Sequence, residues 1–397
     1  MKQMLYIQKF ITEHSDWEDL LQEKPYCITI SRDVKFGHNL IMFKYSQIDS
    51  NFNEALVREC RGLILDEDTL EPVCVPFFKF GNYGESYCPE IDWKSCWVGE
   101  KLDGSLIKLS RIGDDILWST NGTIDAFKAP LAEQIGCTAK SFGELAYFAV
   151  LDNYRKACNL SVSDCIDQGC ADSWLKSIVK PGFTYMFELT SPFNKVVVQW
   201  RETRLSFLGV RNNETLQETY FSDHELKCIF NTPKVFPLRS IDDCVKAANE
   251  LDCNNEGFVV CDKDFNRVKV KSPTYVALHH MRNNGVLSYE RGIEIVRGNE
   301  LEEVVTYFPE FKDHLEKIKE KYDFLVSRLE ASWDGFSTLV TALAPRKEAA
   351  IWITKNFDIP GVGFALLDGK VKSVKEWIEK CPAKNLVKWL GFKEQLT

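Results

Sequence analysis

Apolar and polar positions alternate in short bursts through the first 280 residues. The runs "YCITIS" (Tyr26–Ser31), "GLILD" (Gly62–Asp66), "LIKLSR" (Leu106–Arg111), "TYMFEL" (Thr184–Leu189), "KVVVQW" (Lys195–Trp200), "GFVVCD" (Gly257–Asp262) and "RVKVKS" (Arg267–Ser272) are rich in β-branched and aromatic residues. Gly, Asn, Asp or Pro separates them, so each predicts a strand. One stretch, "SFGELAYFAVLDNYRKAC" (Ser141–Cys158), repeats its apolar residues at three and four and predicts a helix. Past Met281 the period changes. Leu301–Leu343 has helical spacing throughout, with Pro309 as a break or first-turn residue. Further helices are expected at Arg346–Asn356 and Val371–Leu390. The pattern therefore predicts a strand-rich domain over 1–280 and an all-helical domain over 281–397.

Composition refines this reading in three ways. At 397 residues, with 45% hydrophobic and 27% charged residues, the chain is an ordinary globular sequence long enough for two cores. No run approaches the ~18 apolar residues of a membrane span, and the start, "MKQMLYIQKF", does not read as a signal peptide. A cytoplasmic protein without membrane contact is expected. The 14 cysteines include no Cys-x-x-Cys pair, which excludes zinc ribbons and thioredoxin-like motifs. They are expected to be buried, reduced thiols. The net charge of −9 and pI near 5.4 argue against a nucleic-acid coat protein. They do not argue against an enzyme with one local basic pocket. From Met281 on, 18 basic residues balance 18 acidic ones, so the whole deficit lies before it.

The candidate chemistry starts at Lys101, in "GEKLDGSLIKL". Lys-x-Asp-Gly by itself also describes a strand-end lysine before a hairpin turn. As a nucleophile, a lysine amine must be neutral, and its free pKa is about 10.4; desolvation and nearby cations lower such a value. Lys269 and Lys271 in "VKVKS" share one strand face, about 6.5–7 Å apart. They repel each other on a solvated edge, or clamp a phosphate in a pocket. Glu188 and Glu256 lie inside apolar strand patterns, where an unpaired carboxylate is unfavourable. His279-His280 and the cysteines of Cys158–Cys170 have no metal-ligand spacing and read as structural.

"RECRGLIL", "KLDGS", "FELTSPFNKVVV", "NEGFVV" and "VKVKSPTYVALHH" occur in that order between Tyr45 and about His280. In order and texture they resemble the covalent nucleotidyltransferases, and most closely the bacteriophage-type RNA ligase 1 family. The resemblance implies an α+β fold: a nucleotidyltransferase domain of antiparallel sheets flanked by helices, followed by an all-α C-terminal domain. It implies an ATP-dependent RNA ligase acting through lysyl-AMP and adenylylated RNA. Lys101 would be the nucleophile, with Lys269 and Lys271 on the phosphates. Tyr45, Arg61, Lys79, Glu188 and Tyr275 would complete the ATP site. Glu256 and Glu188 would bind the metal, Mg²⁺ or alternatively Mn²⁺. Where many relatives carry a basic residue in a Ser-x-x-Gly segment, this chain has Asn121 in "STNGT"; the family's role does not transfer to it.

The implied substrate is RNA with 5′-phosphate and 3′-hydroxyl ends, a broken tRNA anticodon loop being one candidate, and the implied partner a polynucleotide kinase/phosphatase. In the tail "GKVKSVKEWIEKCPAKNLVKWLGFKEQLT", Lys384 and Lys388 share a helical face and are candidate RNA contacts, with Trp377, Leu386, Val387 and Trp389 on the buried side. The alternatives are a DNA ligase or GTP-using capping enzyme of the same superfamily, which usually append a β-barrel, and an inactive relative that binds RNA ends.

Overall fold

Period-two burial turns the strand bursts into three sheets, antiparallel at every named pairing. The computed structural model describes residues 3–161, 167–194, 197–252, 254–280, 287–339 and 346–392. The chain divides into two compact units, Met1–Leu278 and His279–Thr397.

In the first unit, β1 (Ile28–Lys35), β2 (His38–Tyr45), β3 (Arg61–Asp66) and β4 (Pro72–Cys74) form one sheet in that order. Next come β5 (Trp97–Lys101), β6 (Ser105–Ile112), β7 (Asp115–Thr120), β8 (Phe183–Thr190), β9 (Arg204–Asn212), β10 (Glu218–Tyr220), β11 (Val235–Phe236), β12 (Gly257–Cys261) and β13 (Arg267–Lys271). The second sheet has the order β10-β9-β8-β6-β7 and the third β11-β5-β12-β13.

Alternation decides what each face meets. On β2, Ile41 and Phe43 join Leu5, Ile7, Leu21 and Val57 of the N-terminal helices, whereas Leu40 and Met42 join Ile112 and Leu117 of the second sheet. On β6 and β8, Ile107, Leu109, Tyr185 and Phe187 pack on helices Phe142–Ala157 and Gln168–Ile178. In the third sheet, Val98, Phe258, Val260, Val268 and Val270 cover helix Ile241–Asn249 through Cys244 and Ala248. Each fully buried side chain of this kind contributes about 1.5–3 kcal/mol. The basic residues of β13 are left on the opposite face.

Glu59 is the exception in the helical layer. Its carboxylate is buried and accepts from the Ile7 N–H at 3.3 Å. Burial pushes the acid from 4.5 up to about 7. The folded state therefore holds this proton more tightly than the unfolded chain, and stability is lost as pH rises between those values. Glu59→Gln is expected to stabilise the protein at pH 8 by about 1–3 kcal/mol, the gain shrinking towards pH 5. Thermal melts of both proteins at the two pH values check this; identical midpoints at pH 8 would contradict it.

Several elements differ from the sequence expectation. Residues 197–200 form no strand, because the Val197 and Val198 amides bond to Asp103 instead of a ladder; Lys195 and Val196 lie outside the described residues. Helices Gln168–Ile178 and Ile241–Asn249 were not expected, although Asp167 and Ser240 cap them. Tyr6–Glu13, Trp17–Gln22 and Pro273–His280 are likewise helical. The thiols are free among the described cysteines, but Cys158, Cys170 and Cys228 are exposed rather than buried.

The second unit holds helices Tyr289–Arg297, Leu301–Tyr307, Lys312–Leu339, Arg346–Asn356, Pro360–Leu367, Val374–Lys380 and Ala383–Trp389, and no strand among its described residues. Pro309 breaks the pattern as expected. The expected helix Val371–Leu390 is split at Pro382, which has no N–H to continue it. Leu386 and Val387 are buried, whereas Trp389 is 37% exposed and stacks on Trp377 at 5.6 Å. Lys384 and Lys388 are exposed. The side chains of His279 and His280 lie outside the described residues. No described helix is long and apolar enough to cross a membrane.

Candidate active site

Lys101 is the last residue of β5, where the chain leaves the third sheet and crosses to β6 of the second. The crossing is a tight turn held at Asp103. One carboxylate oxygen of Asp103 accepts the amides of Val197 and Val198 at 2.9 and 2.7 Å, and the other accepts the Tyr275 hydroxyl at 2.9 Å. Its carbonyl accepts the Trp200 indole N–H at 2.7 Å. Gly104 follows because a Cβ there would lie 2.3 Å from the Leu189 carbonyl oxygen. The Asp-Gly pair thus fixes the lysine's backbone against two distant segments.

Register brings the other charges alongside. Gly257 of β12 pairs with Lys101 on one side and Lys271 on the other, so both lysines point to one face. Glu256, one residue earlier, stands between them. Its Oε2 accepts from the Lys101 amine at 2.6 Å, and its Oε1 lies 3.8 Å from that of Lys271. The Glu256 side chain is only 5% exposed, so its carboxylate faces these amines rather than water.

Lys269 has no carboxylate partner among the described residues. Burial, reinforced by Lys79, Lys271, Lys101 and Arg61, holds its amine well below the ordinary lysine value. Its ammonium position and the Arg61 guanidinium both approach the Phe80 ring, at 5.1 and 5.5 Å. Arg267, two residues before Lys269 on the same face, is neutralised instead: Glu218 bridges it, at 2.5 Å, and Arg211. Glu188 faces the cluster from β8. Desolvation, opposed by Lys101 and assisted by Glu256, pushes its acid up to about 7.

These groups surround an open cleft lined by Arg61, Lys101, Asn121, Glu188, Arg267 and Lys269 with apolar residues such as Phe80. Lys79 lies at the rim, over the rings of Tyr45 and Phe52 at 5.3 and 4.6 Å. Tyr275 is buried and turned towards Asp103, behind the cleft rather than within its lining. Lys384 and Lys388 belong to the second unit. Arg267 is not among the residues expected at the site, although the alternation of "RVKVK" puts it on the face of Lys269; the buttressing of Asp103 by Val197, Val198 and Trp200 had no signal in the sequence.

A family model described as RNA ligase, of the phage T4 ligase 1 type, matches residues 59–275, more than half of the chain. The chain belongs to this RNA ligase family. A protein of Autographa californica nuclear polyhedrosis virus, named as a bifunctional polynucleotide kinase/RNA ligase, is 28% identical over 90% of this chain. The chain spans about half of that relative's length, 51%. The RNA ligase of Rhodothermus phage RM378 is 24% identical over 75% of this chain and 76% of its own. Among solved structures, an archaeal ATP-dependent RNA ligase aligns at 12% identity and TM-score 0.43, covering 89% of each chain.

Within the family frame, a divalent cation is the group to test against the residues present. No cluster of three His, Cys, Asp or Glu side chains occurs among the described residues. Mg²⁺ commonly needs only one or two protein carboxylates, with phosphates and water completing its shell. Glu188, which has no ion pair among the described residues, and Glu256 fit such a sparse donor set.

Proposed function

We propose that this protein is an ATP-dependent RNA ligase in which Lys101 carries the nucleotide. The observation that supports it most directly is the Lys101 amine held 2.6 Å from a buried carboxylate, in a cleft that also holds Lys269 and Arg61. The amine hands its proton to Glu256, and its lone pair attacks the α-phosphorus of ATP. A P–N bond forms as the bond to pyrophosphate breaks. Lys269, Lys271, Arg61 and Lys79 take up the charge that develops on the departing phosphates. AMP then passes to an RNA 5′-phosphate, regenerating the lysine, and an RNA 3′-hydroxyl displaces AMP to close the strand. Tyr275 holds Asp103 and hence the turn that presents Lys101, while Tyr45 packs beneath Lys79. A divalent cation, Mg²⁺ or Mn²⁺, held by Glu188 and Glu256 would screen the phosphates.

The reading extends to cytoplasmic RNA repair, with a kinase/phosphatase preparing the ends and a broken tRNA anticodon loop as one substrate. Lys384 and Lys388, exposed on the last helix, are candidate backbone contacts for such an RNA. The direct test incubates the protein with α-labelled ATP or GTP and a divalent metal, then adds 5′-phosphorylated single-stranded RNA. A labelled protein formed with ATP, chased into sealed RNA, is expected. Label from GTP alone would favour a capping enzyme, and a labelled protein that never seals RNA would refute the ligase reading. Removing residues 285–397 is expected to spare the adduct and lower sealing of a nicked anticodon loop at least tenfold; equal sealing would remove the second unit from substrate recognition.

A further inference from the structure

Lys108 is fully buried on β6, the strand that follows the Lys101 turn, and it is an anomaly there. Its neighbours Ile107 and Leu109 pack on helices, and an apolar side chain at 108 would suit the opposite face equally well. No carboxylate among the described residues pairs with it; the charged or titratable groups acting on it are Arg61 of β3 and Cys74 of β4. Its amine donates to the Gly62 carbonyl at 2.5 Å. An unpaired buried cation is unfavourable unless something else requires it.

The surroundings show what it serves. Between Phe43 and Lys44 the β2–β3 register shifts, so Gly62 has no partner across the ladder. Gly62 adopts φ +75°, the conformation of a glycine bulge, and its carbonyl turns inward to Lys108. A Cβ on Gly62 would lie 2.8 Å from the Lys108 amine and 2.9 Å from the Asn121 carbonyl oxygen. The amine therefore sits directly behind Arg61 and Asn121, two residues of the cleft wall. The Asn121 side-chain oxygen is buried with no hydrogen-bond partner among the described residues.

We propose that Lys108 is a positioning residue for the nucleotide, supplying from behind the wall the positive charge that position 121 does not carry. The inference rests on the ligase reading. Burial holds the Lys108 amine down to about 8, so it is still charged at pH 7. A charge shielded from water acts on a phosphate across the thin Gly62–Asn121 wall more strongly than a solvated one. The β6–β7 register, Lys108 opposite Ser119, makes the exchange of a lysine between 108 and 121 a short lateral move.

Two neutral variants test this in the full chain: Lys108→Met, and Lys108→Gln, which keeps a donor for the Gly62 carbonyl. Both are scored by circular dichroism and by lysyl-AMP formation against ATP concentration. A folded variant is expected to keep its maximal rate within about threefold and to need at least tenfold more ATP for half saturation. Adding Asn121→Lys is expected to restore the ATP requirement to within threefold. A residue that only ties down the Gly62 carbonyl would be replaced by Gln without effect, and would not be rescued from position 121. Parent-like saturation in a folded Lys108→Gln variant, or no rescue by Asn121→Lys, would overturn the proposal. If neither neutral variant folds, Asn121→Lys alone decides. Beside a charge already in service it is expected to change half saturation less than twofold, and a tenfold tightening would overturn the proposal. A parent protein that forms no adduct would instead refute the ligase reading itself.

Discussion

Lys101→Ala is expected to abolish covalent labelling by ATP, by a factor of at least ~10³, in a protein that still folds. The side chain is 21% exposed and ends its strand, and Asp103, which holds the turn, is untouched. Glu256 loses its nearer partner but keeps Lys271 at 3.8 Å, so no buried carboxylate is stranded. The loss is thus confined to bond formation. The same variant is expected to seal RNA already bearing a 5′ adenylate, because closing the strand uses no bond to the lysine. Gel analysis of both reactions separates the two outcomes. Persistent labelling would place the nucleophile elsewhere; loss of sealing with the activated RNA would give Lys101 a role in the last step as well.

Lys269→Met is expected to slow adduct formation by about 10²-fold and at the same time to raise the melting temperature of the free protein. The two effects have one origin. Lys269 is buried beside Lys79, Lys271, Lys101 and Arg61 and has no counter-charge among the described residues, so the fold works against it. A thioether of similar length relieves that repulsion. The triphosphate would lose the cation proposed to stabilise its leaving group. Single-turnover labelling and calorimetry on the same preparation test the pair. A variant that is slow and less stable would point to general damage, and one as fast as the parent would show that Lys269 does not meet the phosphates. Lys271→Ala, whose side chain is 15% exposed and shares Glu256, is expected to cost less, about tenfold.

How far the site could be read from the chain depends on the distance over which each signal acts. Alternation in "RVKVK" is local, and it placed Lys269 and Lys271 on the face opposite Val268 and Val270, where they are. The order of the five motifs located Lys101, Glu188 and Glu256, and β5, β8 and β12 carry these into one cleft or onto its edge. "KVVVQW" was misread because its amides answer to Asp103, more than ninety positions earlier. The Lys108–Gly62 bond spans 46 positions and depends on a bulge, which hydropathy does not record. Tyr275 was assigned to the nucleotide by motif, yet its hydroxyl is turned to Asp103, 172 positions away. Periodicity reports which face of a strand is buried; what that face meets is decided by the tertiary fold.

The depressed proton affinity of Lys269 bears on how this cleft should be mapped chemically. An amine whose proton is held less tightly than an ordinary lysine's, and which is flanked by cations, condenses more readily with anionic aldehydes and other phosphate-bearing affinity reagents. Such reagents would modify Lys269 as well as Lys101. Peptide mapping of the modified lysine, rather than loss of activity, is therefore what distinguishes an electrophile trapped by the cleft from genuine turnover.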